Sequence, residues 1–130
     1  MSQDKKKATI KGTFQTKDKL LTVNLPVILF QDGSCIVAYC PALNVYGYGL
    51  NEEEAKQSFE TSLGEFFRYT ITKKTFKSEL EALGWTVKRK DKYTPPTFSS
   101  LLDNNEEFRD IFNTKNFTKF DTGVSIPLSA

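Results

Sequence analysis

Trp85, Lys88, Arg89, Lys90, Lys92 and Tyr93 put four cations between two aromatic rings. That combination suits a nucleic-acid strand, the cations on phosphates and the rings stacked on bases. Residues 73–93 carry seven basic side chains (Lys73, Lys74, Lys77, Lys88, Arg89, Lys90, Lys92) against three acidic ones (Glu79, Glu81, Asp91), a local charge of +4. A solvated rim with no ligand has the same composition, and both readings stand at this stage. The other dense group is Glu52, Glu53 and Glu54. Acid–base work needs a carboxyl whose pKa is lifted by burial or by a close like charge, and adjacent exposed carboxylates lack the burial. They suit the positive end of a helix better.

None of the 130 residues is a histidine. This removes the commonest general base, the commonest metal ligand and every Ser-His or Cys-His arrangement. Carboxylate, lysine and tyrosine chemistry is what is left. Cys35 and Cys40 fall on one predicted strand, on opposite faces and about 16 Å apart if extended, which is beyond disulfide reach. They read as buried thiols. There are no zinc-type cysteine pairs, no Walker loop and no dinucleotide fingerprint; the glycines of Tyr46-Gly47-Tyr48-Gly49 lack the spacing and the lysine of a phosphate loop. We expect neither enzyme activity nor a metal or cofactor.

A sheet and a helix must position these groups. Asp32-Gly33 between two apolar runs predicts a hairpin. Pro41 cannot donate to a ladder, so residues 41–44 turn the chain back into a third strand over residues 45–50. There Tyr46 and Tyr48 share one face, while Gly47 and Gly49 leave the other bare for close approach by a helix or another backbone. Asn51 and Glu54 form a capping-box-like pair, predicting a helix from Glu52 to about Thr72. Ala55, Phe59, Leu63, Phe66, Phe67 and Ile71 make its core stripe, and Gly64, about 1 kcal/mol worse than alanine in a helix, marks close packing. Thr75 is expected to cap a second helix with Phe76, Leu80 and Leu83, closed by Gly84, with Trp85 folding back on Leu80. Residues 85–89 alternate as a fourth strand would.

The order Phe30, Asp32-Gly33, Ala38, Pro41, Leu43, Gly47, Gly49, Glu53-Glu54-Ala55 resembles the core of the HicB-like antitoxins over residues 22–88, about half of the chain. Two places depart from it. The family's Pro-Gly-Cys after the leucine is Asn44-Val45-Tyr46 here, and the acid-threonine before the helix is Leu50-Asn51. The resemblance implies an α+β fold, a small antiparallel sheet with one long helix packed on one face. It also implies a protein that binds and masks a small RNA-cleaving toxin. Many members bind their operator through an added C-terminal DNA-binding domain. Here no strand followed by two helices is found for a ribbon-helix-helix, and residues 98–112 hold one basic side chain, Arg109. Direct DNA binding is therefore not expected.

One domain is expected for 130 residues, with residues 8–94 as the sheet-helix core and its N-terminal hairpin, and residues 95–130 as an extension packed on it. With 38% hydrophobic and 26% charged residues and 11 Phe, the chain can build a core. No apolar run nears the roughly 20 residues that span a bilayer, and residues 1–7 lack the apolar stretch of a signal peptide, so a cytoplasmic, non-membrane protein is expected. A net charge of +2 is too mild to imply nucleic acid by itself. Residues 1–7 read as a frayed terminus, residues 8–14 as a strand, residues 15–19 as a loop, with a return strand from near Leu20. Beyond Pro95-Pro96, the positions Leu101, Leu102, Phe108, Ile111 and Phe112 predict one or two short helices, with Asn104 or Asn105 capping Glu106-Glu107. Residues 117–128 read as extended and are expected to pair with residues 8–14.

Residues 25–30 and 35–40 are apolar at both parities, with Pro26 hinting at an edge or a bulge. Such a sheet needs cover on two faces, and one long helix covers one. The other must meet the C-terminal segment, a second copy or a different protein. The expected function is a non-enzymatic protein-binding module, partnered by a small toxin-like ribonuclease or by itself as a homo-oligomer. The alternatives are nucleic-acid binding through residues 85–93 and a homo-oligomeric structural protein with no toxin partner.

Overall fold

The computed structural model describes residues 7–8, 20–88 and 93–127. In chain order its elements are β1 (Lys7–Ala8), β2 (Leu20–Asp32), β3 (Cys35–Cys40), β4 (Val45–Gly49), α1 (Glu52–Thr72), α2 (Phe76–Ala82), β5 (Thr86–Val87), β6 (Tyr93–Thr94), α3 (Phe98–Asn104), α4 (Glu106–Thr114) and β7 (Phe117–Pro127). The main sheet runs β1-β7-β2-β3-β4, antiparallel except for β1, which lies parallel to β7. With one long helix against it, this is an α+β fold.

The hairpin turns at Gly33, whose φ of +66° a side chain would resist, and Asp32 pairs directly with Cys35. After Pro41 the chain reverses through Asn44, a left-handed residue at φ 57°. Asn51 caps α1 by accepting from the Glu54 N–H at 2.9 Å. The return bond is displaced by one residue from a capping box: Glu54 accepts from the Leu50 N–H, also at 2.9 Å. Ala55, Phe59, Leu63 and Phe67 are buried as the stripe predicts, Phe66 and Ile71 are half-buried, and Gly64 is buried too. Gly47 and Gly49 are where helix and sheet meet. A Cβ at Gly47 would collide with the Phe59 nitrogen and the Ala55 carbonyl, and one at Gly49 with the Ala55 nitrogen.

α2 ends as expected. Gly84 stands at φ +100°, its N–H donates to the Glu81 carbonyl, and the Trp85 N–H folds back to that of Leu80 at 3.0 Å. Its start differs from expectation, because Thr75 makes no side-chain cap. At φ −115° and ψ 11° its backbone is outside the extended region from which a hydroxyl reaches the second or third amide. The strand expected at residues 85–89 also differs. Only Thr86–Val87 is strand among the described residues, and it pairs with Tyr93–Thr94 in a separate two-stranded sheet.

The place beside β2 belongs to β7. The two pair along 11 residues, from Leu20 opposite Pro127 to Phe30 opposite Phe117. The expected partnership of the C-terminal strand with residues 8–14 is met at Ala8, which lies opposite Val124; residues 9–19, with the rest of that strand and the loop, lie outside the described residues. Lys7, expected to be frayed, is in the same strand, and residues 1–6 lie outside the description. Pro26 sits where β3 does not reach, since that pairing begins at Ile28. β2 is thus a local edge there among the described strands, which suits a residue with no N–H.

Register sorts the side chains. Leu25, Val27, Ala38, Cys40, Gly47, Val124 and Ile126 lie on the α1 side; Ile28, Phe30, Val37, Tyr39, Tyr46, Tyr48 and Phe117 lie on the other. Among the three possible covers for that second face, the structure uses the C-terminal segment. Thr97 and Asn105 cap α3 and α4, and Phe108 sets its ring edge-on against Tyr39 while Phe112 tilts against Phe117. Leu101, Phe108 and Ile111 join the same buried cluster as β2, β3 and α1. No helix among the described residues is long and apolar enough to cross a membrane.

Candidate protein-binding surface

The six residues of the basic patch are not one surface. Trp85 is 3% exposed and its indole Nε1–H donates to the Ala42 carbonyl at 2.8 Å, tying the segment after α2 to the Pro41 turn. Tyr93 is also buried, against Phe76, and burial raises its phenol pKa. Neither ring has a free face for a base, so the aromatic half of the patch is core packing. Lys88 is exposed at the end of β5, while Arg89, Lys90 and Lys92 lie outside the described residues.

A different group of rings runs from the core out to solvent. β4 places Tyr46 and Tyr48 on the face away from α1, and β3 adds Tyr39 directly opposite Tyr46. Tyr39 and Tyr46 stack with centroids 4.2 Å apart, and Tyr48 continues the ladder at 6.1 Å, nearly parallel. Exposure rises outward along it: Tyr39 is fully buried, Tyr46 half-buried, and Tyr48 55% exposed. Leu50, two residues on, is 74% exposed.

Each inner hydroxyl is anchored. Tyr39 donates to Asn44 Oδ1 at 3.2 Å and accepts from Asn105 Nδ2 at 3.0 Å; Tyr46 donates to the Glu107 carboxylate. Burial raises the Tyr39 pKa, partly opposed by the Asn105 bond, and burial followed by the Glu107 bond raises that of Tyr46. Both phenols therefore stay protonated as donors. Asn44, Asn105 and Glu107 also line a cleft of about 480 Å³, together with Glu81, Asn104 and Glu106 and the aliphatic Pro41, Leu83, Pro96 and Leu101. Among the described residues no lysine or arginine lines it.

Two amides at the outer end of the β4 edge are taken by α1. The Tyr48 N–H donates to Ser58 Oγ at 3.0 Å and the Leu50 N–H is taken by Glu54, both from α1. Among the described residues no cluster of potential metal ligands occurs and no buried polar side-chain atom is unpaired. The arrangement offers rings, carboxylates and an apolar tip, the materials of a contact surface. No family model, curated protein or solved structure matches the chain.

Sequence reasoning found that Tyr46 and Tyr48 share a face, from their alternation with glycine. It did not find Glu107, 61 residues away from Tyr46, or the role of Asn105 beyond capping.

Proposed function

We propose that this chain is a non-enzymatic, cytoplasmic protein-binding module of HicB-like build, the antitoxin-type partner of a small RNA-cleaving toxin or a domesticated relative. The observation that carries this reading is the exposed Tyr48 and Leu50 at the open end of an otherwise covered face. Two further features support it. The residues behind the family resemblance, from Phe30 to Ala55, fold as one hairpin, strand and helix start, with the glycines of β4 backed against α1. The short C-terminal helices are poorly suited to DNA: α4 carries Glu106, Glu107 and Asp110, and the Arg109 guanidinium donates to the Leu102 and Asp103 carbonyls.

The test is coexpression of the full chain with the small basic protein encoded by a neighbouring reading frame that carries a catalytic histidine. A complex that copurifies and silences RNA cleavage is the expected result. Absence of a complex, with both proteins folded, would overturn the reading.

A further inference from the structure

Taking one electron from a phenol turns its O–H into a strong acid, so a tyrosine is readily oxidised where a base within hydrogen-bond reach can receive the proton. Of the five tyrosines, Tyr46 alone donates to a carboxylate among the described residues, that of Glu107. Tyr39 donates to the Asn44 carboxamide oxygen and the Trp85 indole to a peptide carbonyl, both feeble bases. Burial and the Glu107 bond keep the Tyr46 phenol protonated, so its electron and its proton must leave together.

The ladder connects this phenol to solvent. Tyr46 stacks on Tyr39 at 4.2 Å between centroids and 18° between planes, and Tyr48 follows at 6.1 Å and 9°. Neighbouring, nearly parallel π-systems exchange electrons readily, and Tyr48, 55% exposed, is the ring of the ladder that an oxidant in solution meets first. No described residue accepts from the Tyr48 hydroxyl. An electron vacancy formed there therefore falls in energy by moving one ring inward, to the phenol that has a base.

We propose that Tyr46 is a one-electron oxidation site entered through Tyr48. A radical oxidant of the peroxyl class gains an electron from the ladder and becomes its anion. The vacancy settles on Tyr46, whose phenolic O–H bond breaks; the proton passes to Glu107 and the unpaired electron stays on the phenoxyl group. One electron from an ascorbate-type reductant, with return of the proton from Glu107, restores the tyrosine.

The test oxidises the full chain with photogenerated ruthenium(III) tris-bipyridine near neutral pH and follows the phenoxyl radical by absorbance and, after freeze-quenching, by electron paramagnetic resonance. A Cys35→Ser background keeps the half-buried thiol from consuming the radical. Tyr46→Phe should remove most of the signal, while Tyr69→Phe, at the other exposed tyrosine, should leave it in place. Glu107→Gln keeps an oxygen that accepts the Tyr46 bond but is no base. It should slow radical formation at least about tenfold, with a rate that climbs as rising pH lets hydroxide take the proton. Tyr48→Phe should slow formation without moving the final signal. Equal rates for Glu107→Gln and its parent, with matching circular dichroism, would overturn the proposal. So would a signal that survives Tyr46→Phe, one abolished by Tyr69→Phe or Tyr93→Phe, a rate unmoved by Tyr48→Phe, or no tyrosyl radical at all.

Discussion

Cover of the second sheet face from within the chain can be tested at Phe108. Its ring is fully buried and meets Tyr39 at 6.2 Å, Phe98 at 5.3 Å and Phe112 at 6.1 Å between centroids, all edge-on. Phe108→Ala removes the wedge between α4 and β3. A buried Phe→Ala change costs about 3–5 kcal/mol, and losing three edge-on ring pairs, each worth about 0.5–1.5 kcal/mol beyond its area, favours the upper half of that range. With a urea m-value of about 2 kcal/mol/M, a loss of about 4 kcal/mol lowers the unfolding midpoint by about 2 M. Out of a total stability of about 5–15 kcal/mol this is a large share. Asp110→Ala, on the exposed side of the same helix, should stay within about 0.5 kcal/mol. Equal midpoints for the two variants, measured by circular dichroism in urea, would show that α4 does not seal the sheet in solution.

Gly47→Ala forces a Cβ into helix backbone, which yields less readily than the end of a flexible side chain. A loss of about 2 kcal/mol, or about 8 °C in melting temperature, is expected, and an unshifted melt would refute the close approach. Trp85→Phe leaves the Ala42 carbonyl without its 2.8 Å donor and should cost about 1–3 kcal/mol by urea unfolding. Cys40 is fully buried, and that burial pushes its thiol from 9.0 up to about 12. It should resist thiol reagents until the chain unfolds, while half-buried Cys35 reacts in the native state. The raised value also sets a sign. Above pH about 9 the unfolded chain releases this proton while the folded chain keeps it, so stability is complete below that pH and falls as pH rises toward about 12. Tyr39, Tyr46 and Tyr93, all raised chiefly by burial, act in the same direction at higher pH. Cys40→Ala should flatten the decline of the urea midpoint between about pH 9 and about pH 12, and an unchanged slope would contradict it.

What could be read from the chain was short-range. Asn51 with Glu54, Gly33, Gly84 and Asn105 each act across a few residues, and each stands where its local chemistry required. The Tyr46-Gly47-Tyr48-Gly49 alternation also fixed which side of β4 meets the helix, because a strand has only two faces. Thr75 shows the limit of such signals, since residue type permits a cap but backbone angles decide it. Strand partnership was less legible. Residues 25–30 of β2 are apolar at both parities, so their pattern does not specify a neighbour, and the long pairing of β2 with β7 joins residues 87 to 107 apart in sequence. The basic patch misled for a related reason. Trp85 and Tyr93 sit among charges along the chain, but Ala42, 43 positions before Trp85, and Phe76 decide that their rings point inward.

That same distance between sequence and contact accounts for the candidate surface. Tyr39, Tyr46 and Tyr48 make a ladder that α4 covers at its inner end, so the C-terminal helices both remove the pressure to bury a whole sheet face and define how much of it stays open. What stays open is an apolar tip, at the end of a strand edge where the Tyr48 and Leu50 amides are already bonded. A partner that added a strand would exchange satisfied hydrogen bonds for new ones, at little net gain. One that lays side chains on Tyr48 and Leu50 removes exposed apolar area from water at about 25 cal/mol per Å² and disturbs no existing bond. The two bonded amides at the end of the edge therefore favour recognition by side-chain chemistry at this tip.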